Sequence, residues 1–212
     1  MGTINQGITG GFSGKVGTVI GSNWNGVDIM RGLPSHMTNP RTERQQNQRA
    51  KVALIVQFLS PLKALLREGF KKRGQRMSPF NAAMSYNLTH AVTGISPDFE
   101  IDYSKVMISQ GKLPTALNPE VISPATGQVE FRWEDNSSDF GAMPGDRAVL
   151  VVVDPEKGKV VTEMGGNLRS AGSHVVTLPP DFEGAEVQCY IAFQNVSQSF
   201  ISDSRWAGGM MV

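Results

Sequence analysis

The sequence predicts an α+β chain: an N-terminal glycine-rich β-hairpin and a helical segment, followed by an immunoglobulin- or fibronectin-like β-sandwich. Three observations predict it. Residues 1–35 contain nine glycines between short β-prone pieces. Residues 39–94 place apolar side chains three and four apart, and residues 98–212 turn to alternation and β-branched runs. Charge divides the chain at the same place. Residues 1–97 hold 12 Lys and Arg against 3 Asp and Glu, whereas residues 98–212 hold 8 against 16. Two domains are therefore expected, 1–97 basic and 98–212 acidic, inside a chain whose formal net charge is only +1.

In the first stretch, Lys15–Ile20 and Val27–Arg31 flank Asn25-Gly26, a pair suited to a tight turn with positive φ. A hairpin this rich in glycine buries little side-chain area, so it is expected to pair with something else.

Three helix starts share one pattern: Asn39-Pro40, Ser60-Pro61 and Ser78-Pro79. In each, a side chain able to accept from orphan N–H groups precedes a proline that has no N–H to satisfy. Val52, Ile55, Val56 and Leu59 form one stripe, which Leu62, Leu65, Leu66 and Phe70 continue beyond the Ser60-Pro61 break. Residues 41–49 are polar on every side, which suits solvent or a polar partner. A third helix uses Phe80, Ala83, Met84 and Ala91, with Gly94 as its expected stop.

The β half opens with Gln128–Trp133, where Val129, Phe131 and Trp133 oppose Glu130 and Arg132. Ala148–Val153 is a buried run joined to Lys159–Thr162 through a turn holding Pro155 and Gly158. His174–Leu178, Ala185–Phe193 and Phe200-Ile201 supply further strands. About seven strands with turns every 8–12 residues fit a small sandwich.

Other classes are disfavoured. No apolar run approaches the roughly 18–20 residues that span a bilayer, so no membrane partner is expected. The opening Met1-Gly-Thr-Ile-Asn-Gln lacks a basic region followed by an apolar stretch, so no secretory leader is read. The single cysteine, Cys189, forms no internal disulfide and fits a reducing compartment; a cytoplasmic protein, or part of an assembly made there, is expected. Gly14-Lys15 fails as a phosphate loop, because Thr9 and Val16 stand where that motif needs glycine and a hydroxyl. His36, His90 and His174 lack metal-ligand spacing. Glu134, Asp135, Asp139 and Asp146 crowd a loop without a calcium-loop pattern and read as solvated charge. No catalytic set, cofactor, metal or small-molecule substrate is expected.

The basic half is the better lead. Lys15, Arg31, Arg41, Arg44, Arg49, Lys51, Lys71, Lys72, Arg73 and Arg76 are candidates for contact with a polyanion or with another subunit. Trp24 could stack a base or anchor the hairpin.

Gly10-Gly-Phe-Ser-Gly-Lys-Val-Gly-Thr-Val-Ile-Gly-Ser-Asn-Trp24, Arg31-Gly-Leu-Pro34, Gln48-Arg-Ala-Lys51 and Phe58-Leu-Ser-Pro-Leu62 resemble a family of uncharacterised Bacteroidota proteins. Arg169-Ser-Ala-Gly172, Leu178–Gly184 and Ile201–Ser204 are similar to the same family's C-terminal pattern, so the likeness covers nearly the whole chain. It implies a domain of unknown function and so supplies no activity. Asn39-Pro-Arg-Thr42 through Gln45 to Arg49 is similar to stretches in hypothetical prophage proteins, which implies a virion or assembly component. The expectation is a non-enzymatic structural protein that self-associates through its basic and acidic halves. The alternative is a nucleic-acid-binding protein using the basic half.

Overall fold

The computed structural model describes residues 11–24, 26–36, 39–71 and 77–212, with the backbone alone of 3–4. The fold is mixed α+β and divides into two compact units, residues 1–45 and 46–212.

The first unit is an antiparallel meander of β1 (Thr3–Ile4), β2 (Phe12–Val16), β3 (Val19–Trp24) and β4 (Val27–Gly32), in that spatial order. The expected strand from Lys15 to Ile20 is broken at Gly17-Thr18. Gly17 has φ +57°, which turns the chain and makes β2 and β3 neighbours. Gly26 follows with φ +81° at the expected β3–β4 turn, whose Asn25 lies outside the described residues. Gly21 admits the Phe12 ring across the sheet; a Cβ there would lie 2.6 Å from it.

In the second unit, β9 (Arg147–Asp154) and β12 (Glu186–Gln194) lie at the centre of a sheet ordered β10-β9-β12-β13, with β10 Lys159–Leu168 and β13 Arg205–Met211. A second sheet is ordered β11-β8-β7, from Ser173–Thr177, Gln128–Glu134 and Leu117–Ile122. The two sheets share one core: Val129, Phe131 and Trp133 of β8 pack with Leu150 and Val152 of β9 and Cys189, Ile191 and Phe193 of β12. The other face of β9 and β12 is covered by helices. Ile55, Leu59, Leu62, Leu65, Leu66 and Phe70 pack with Val149, Val151, Val153, Tyr190 and Ala192. Hence Ala148–Val153 is apolar without alternation: both its faces are covered.

This arrangement moves the boundary expected at residues 97 and 98. That point lies in the turn of a hairpin whose strands, β5 (Val92–Ile95) and β6 (Asp98–Ile101), pair with each other. The helices before it and the strands after it bury one common core, so they form one unit.

The helices are α1 (Glu43–Leu59), α2 (Lys63–Gly69) and α3 (Pro79–His90). Only the third start follows the expected capping: Ser78 Oγ accepts from Asn81 N–H at 3.2 Å, and Pro79 opens the helix. Ser60 instead donates to Val56 C=O at 2.6 Å, and α2 begins two residues after Pro61. α1 begins three residues beyond Pro40. Gly94 does not end α3, which stops at His90. It sits in β5 with φ +90°, where a Cβ would fall 2.2 Å from Asp98 C=O. The expected strand at Phe200-Ile201 reduces to an isolated bridge from Ile201 to Gln194, and the edge strand is β13. Among the described residues no helix is long and apolar enough to cross a membrane.

Candidate interaction surface

The site candidates scatter rather than converge. Lys51 lies 4.8 Å from the centroid of the Phe99 ring, a cation–π contact within its own unit. Lys71 pairs with Glu68 at 3.2 Å. Arg41 before α1, and Arg44 and Arg49 within its first two turns, are exposed. Lys72, Arg73 and Arg76 lie outside the described residues.

Three candidates do share a surface. Lys15 pairs with Ile20 and Ile20 with Arg31, so the two cations flank one isoleucine across three strands. By the same register and the two-residue period of a strand, Trp24, Val27 and Ile29 stand on that face. They are exposed: Trp24 by 52%, Val27 by 48% and Ile29 by 42%, with Met30 at 70% on the opposite face. All six residues of β4 are exposed. Its outer edge has no partner strand among the described residues. Cross-strand order comes from Asn23, which donates to Asp28 Oδ1 at 2.7 Å and accepts from Gly26 N–H at 3.1 Å. Lone exposed apolar residues need no explanation, but this sheet groups several of them on little core of its own.

The chemistry that the sequence missed is in the second unit. Arg169, read only as part of a turn motif, is fully buried. It donates through Nε to Asp146 Oδ2 at 3.2 Å, through Nη1 to Asn136 Oδ1 at 2.7 Å and through Nη2 to Pro114 C=O at 3.0 Å. Its guanidinium carbon lies 3.9 Å from the Phe193 ring centroid, and Trp133 Nε1 donates to Arg169 C=O at 2.7 Å. Burial pulls this guanidinium below its ordinary pKa, while the Asp146 charge pushes it back. Asp146 therefore departs from the solvated loop expected of it: it is buried and paired. The surplus of acid around one buried arginine was the available signal. The network ties the entry to β7, the β8–β9 loop and the β10–β11 turn, and each guanidinium nitrogen of Arg169 has an acceptor, so its role is structural.

Two of the three histidines are also accounted for locally. His90 stacks on Tyr86 at 4.2 Å, and His174 Nε2 meets Glu163 at 2.8 Å. Cys189 is buried mid-strand, and burial pushes its thiol up to about 12, away from nucleophilic use. A groove of about 490 Å³ opens beside Tyr86, His90, Lys105, Arg205 and Trp206, whose indole donates to Gln188 Oε1 at 3.0 Å.

The family model described as "Family of unknown function (DUF6266)" matches residues 11–208. No curated protein and no solved structure matches.

Proposed function

We propose that this chain, which belongs to the DUF6266 family of unknown function, is a non-enzymatic structural protein that self-associates through its N-terminal sheet. The observation that carries the reading is the exposure of Trp24, Val27, Ile29 and Met30 on a sheet whose β4 edge has no partner strand among the described residues. Covering the exposed half of each such side chain contributes on the order of 1 kcal/mol. A second unit of immunoglobulin- or fibronectin-like type suits a passive role. What supports that type is the division of β7–β13 into β7-β8-β11 and β10-β9-β12-β13 around one core. An assembly component, of the virion type that the stretch from Asn39 to Arg49 resembles, is the setting in which such a chain would work.

The route through complementary charged halves has less support. Residues 46–212 hold 16 basic and 17 acidic side chains, so the compact unit is nearly balanced. The nucleic-acid alternative keeps one favouring observation, the common face of Lys15, Arg31 and Trp24.

Light scattering of the purified chain over a range of concentration and salt tests both readings. A mass above the monomer's, free of nucleic acid, is expected. A monomer up to about 1 mM, where even a contact of about 4 kcal/mol would register, overturns self-association. A monomer that carries nucleic acid until salt strips it off would establish the alternative.

A further inference from the structure

We infer that β4 pairs edge to edge with β4 of a second copy, antiparallel across a two-fold axis, joining two four-stranded sheets into one of eight strands. The inference rests on the self-association reading and names its contact.

Edge strands invite further pairing, and proteins ordinarily blunt them with bulges, proline, short length or a covering group. The edges of the two larger sheets of the second unit follow that rule. β7 holds Pro119 and loses register between Leu117 and Glu120. β10 shifts between Met164 and Leu168, and β13 shifts opposite Cys189 and Tyr190. β11 has its Ser173 carbonyl taken by Asn167 Nδ2 at 2.8 Å. Apart from the charges of Asp28 and Arg31, β4 has none of these devices. It pairs with β3 over six successive residues without a shift, holds no proline or lysine, and is exposed throughout.

A second copy is an occupant that the charges admit. β4 carries one acid, Asp28, and one base, Arg31, so bringing two copies together adds no net charge to the contact. Symmetry then fixes what meets what. A two-fold axis perpendicular to a sheet keeps each face on its own side, so the residue on the axis must face itself. Centring on Ile29 overlaps Val27 through Arg31 and sets Ile29 against Ile29, Val27 against Arg31 and Asp28 against Met30. Asp28 and Arg31 point to opposite faces and cannot meet across such an axis. The contact therefore holds no cross-strand ion pair, and its strength should not fall with salt. One strand pair is a small interface, which places the expected dissociation constant in the micromolar range.

Single-cysteine variants of the full chain test this, because the buried Cys189 stays silent. At the symmetric position the two Cα atoms lie about 4.5–5.5 Å apart, within disulfide reach. Val27 would lie about 14 Å from its own copy along the strand, far beyond it. Under mild oxidation Ile29→Cys should give a covalent dimer and Val27→Cys should not; a maximum at Met30→Cys would support the same pairing moved by one residue. Ile29→Lys should weaken the dimer at least tenfold, and the cysteine pattern serves if that variant misfolds. A dimer that dissolves as salt rises, or one with no cross-link at Ile29 or Met30, overturns the β4 contact and leaves self-association standing. A monomer at every concentration overturns both.

Discussion

Replacing Asp146 by alanine should be among the most damaging single changes outside the apolar core. The carboxylate's Oδ2 accepts from Met143 N–H at 3.1 Å and from Arg169 Nε at 3.2 Å, and it ion-pairs with Nη2 at 3.2 Å. Arg169 is 0% and Asp146 1% exposed, so water cannot take over either role without opening the fold. Removing one partner of a buried pair leaves a charge without compensation and costs about 3–5 kcal/mol. With a urea slope of about 2 kcal/mol per molar, the unfolding midpoint should fall by roughly 1.5–2.5 M at unchanged slope. Asp146→Asn, which keeps an acceptor but not the charge, should fall between wild type and alanine. The double variant Asp146→Leu, Arg169→Met should recover part of the loss, because two matched apolar groups leave no orphan charge. Equilibrium urea unfolding followed by Trp fluorescence is the assay, since Trp133 donates into the same network. A loss under about 1 kcal/mol for Asp146→Ala, or strictly additive single losses, would refute the account of a buried, mutually dependent pair.

Two smaller predictions follow from the same coordinates. The Cys189 thiol, pushed up to about 12 by burial, is protonated in the folded state while an unfolded thiol ionises near about 8.5. The unfolded state thus sheds its proton first, so stability is full below about pH 8.5 and declines toward pH 12, by about 5 kcal/mol at most. Cys189→Ala should flatten the first part of that decline in unfolding measured against pH; Tyr190, raised by burial in the same direction, would govern the part above about 10. Ser78→Ala should cost about 1 kcal/mol through loss of a helix cap, whereas Ser60→Ala, whose hydroxyl donates back to Val56, should cost less than about 0.5. Thermal unfolding of the two variants side by side would show equal losses if the caps were alike.

Much of the second unit could be read from the chain because its cues agreed at several levels. Val129, Phe131 and Trp133 alternate and are all buried, and the stripe from Ile55 to Phe70 found its apolar surface. β7 and β13 were missed for a physical reason: Asn118 takes φ +44° beside Pro119, and Gly208-Gly209 interrupts β13, so neither shows a clean period of two. Those glycines admit close neighbours, since a Cβ at Gly208 would stand 3.0 Å from Val121 and one at Gly209 2.9 Å from Gln188. The boundary at 97 and 98 followed charge and periodicity, neither of which reports that an all-apolar strand needs cover on its second face. Arg169 was invisible because its acceptors come from Pro114, Asn136 and Asp146, far apart in the chain. Of the candidate surface, the turn at Gly26 was legible; the turn at Gly17 and the exposure of β4 were not, the latter because it required the register.

That bareness separates the units more sharply than charge does. Read along the chain, bases come first and acids second, which suggests an electrostatic contact between copies. Folded, the helices of the basic half lie on the sheet that belongs to the acidic half, and Lys51, Lys157 and Lys159 find partners inside the unit. Opposite charges spaced within one compact body cancel beyond a Debye length of about 8 Å, so little steering field should remain at physiological salt. Apolar exposure is not screened. Trp24, Val27, Ile29 and Met30 stay costly in water at any ionic strength, and salting-out anions raise that cost. Association that holds or tightens in sulfate would therefore mark the sheet as its cause; association that melts in moderate chloride would return the cause to the charged halves.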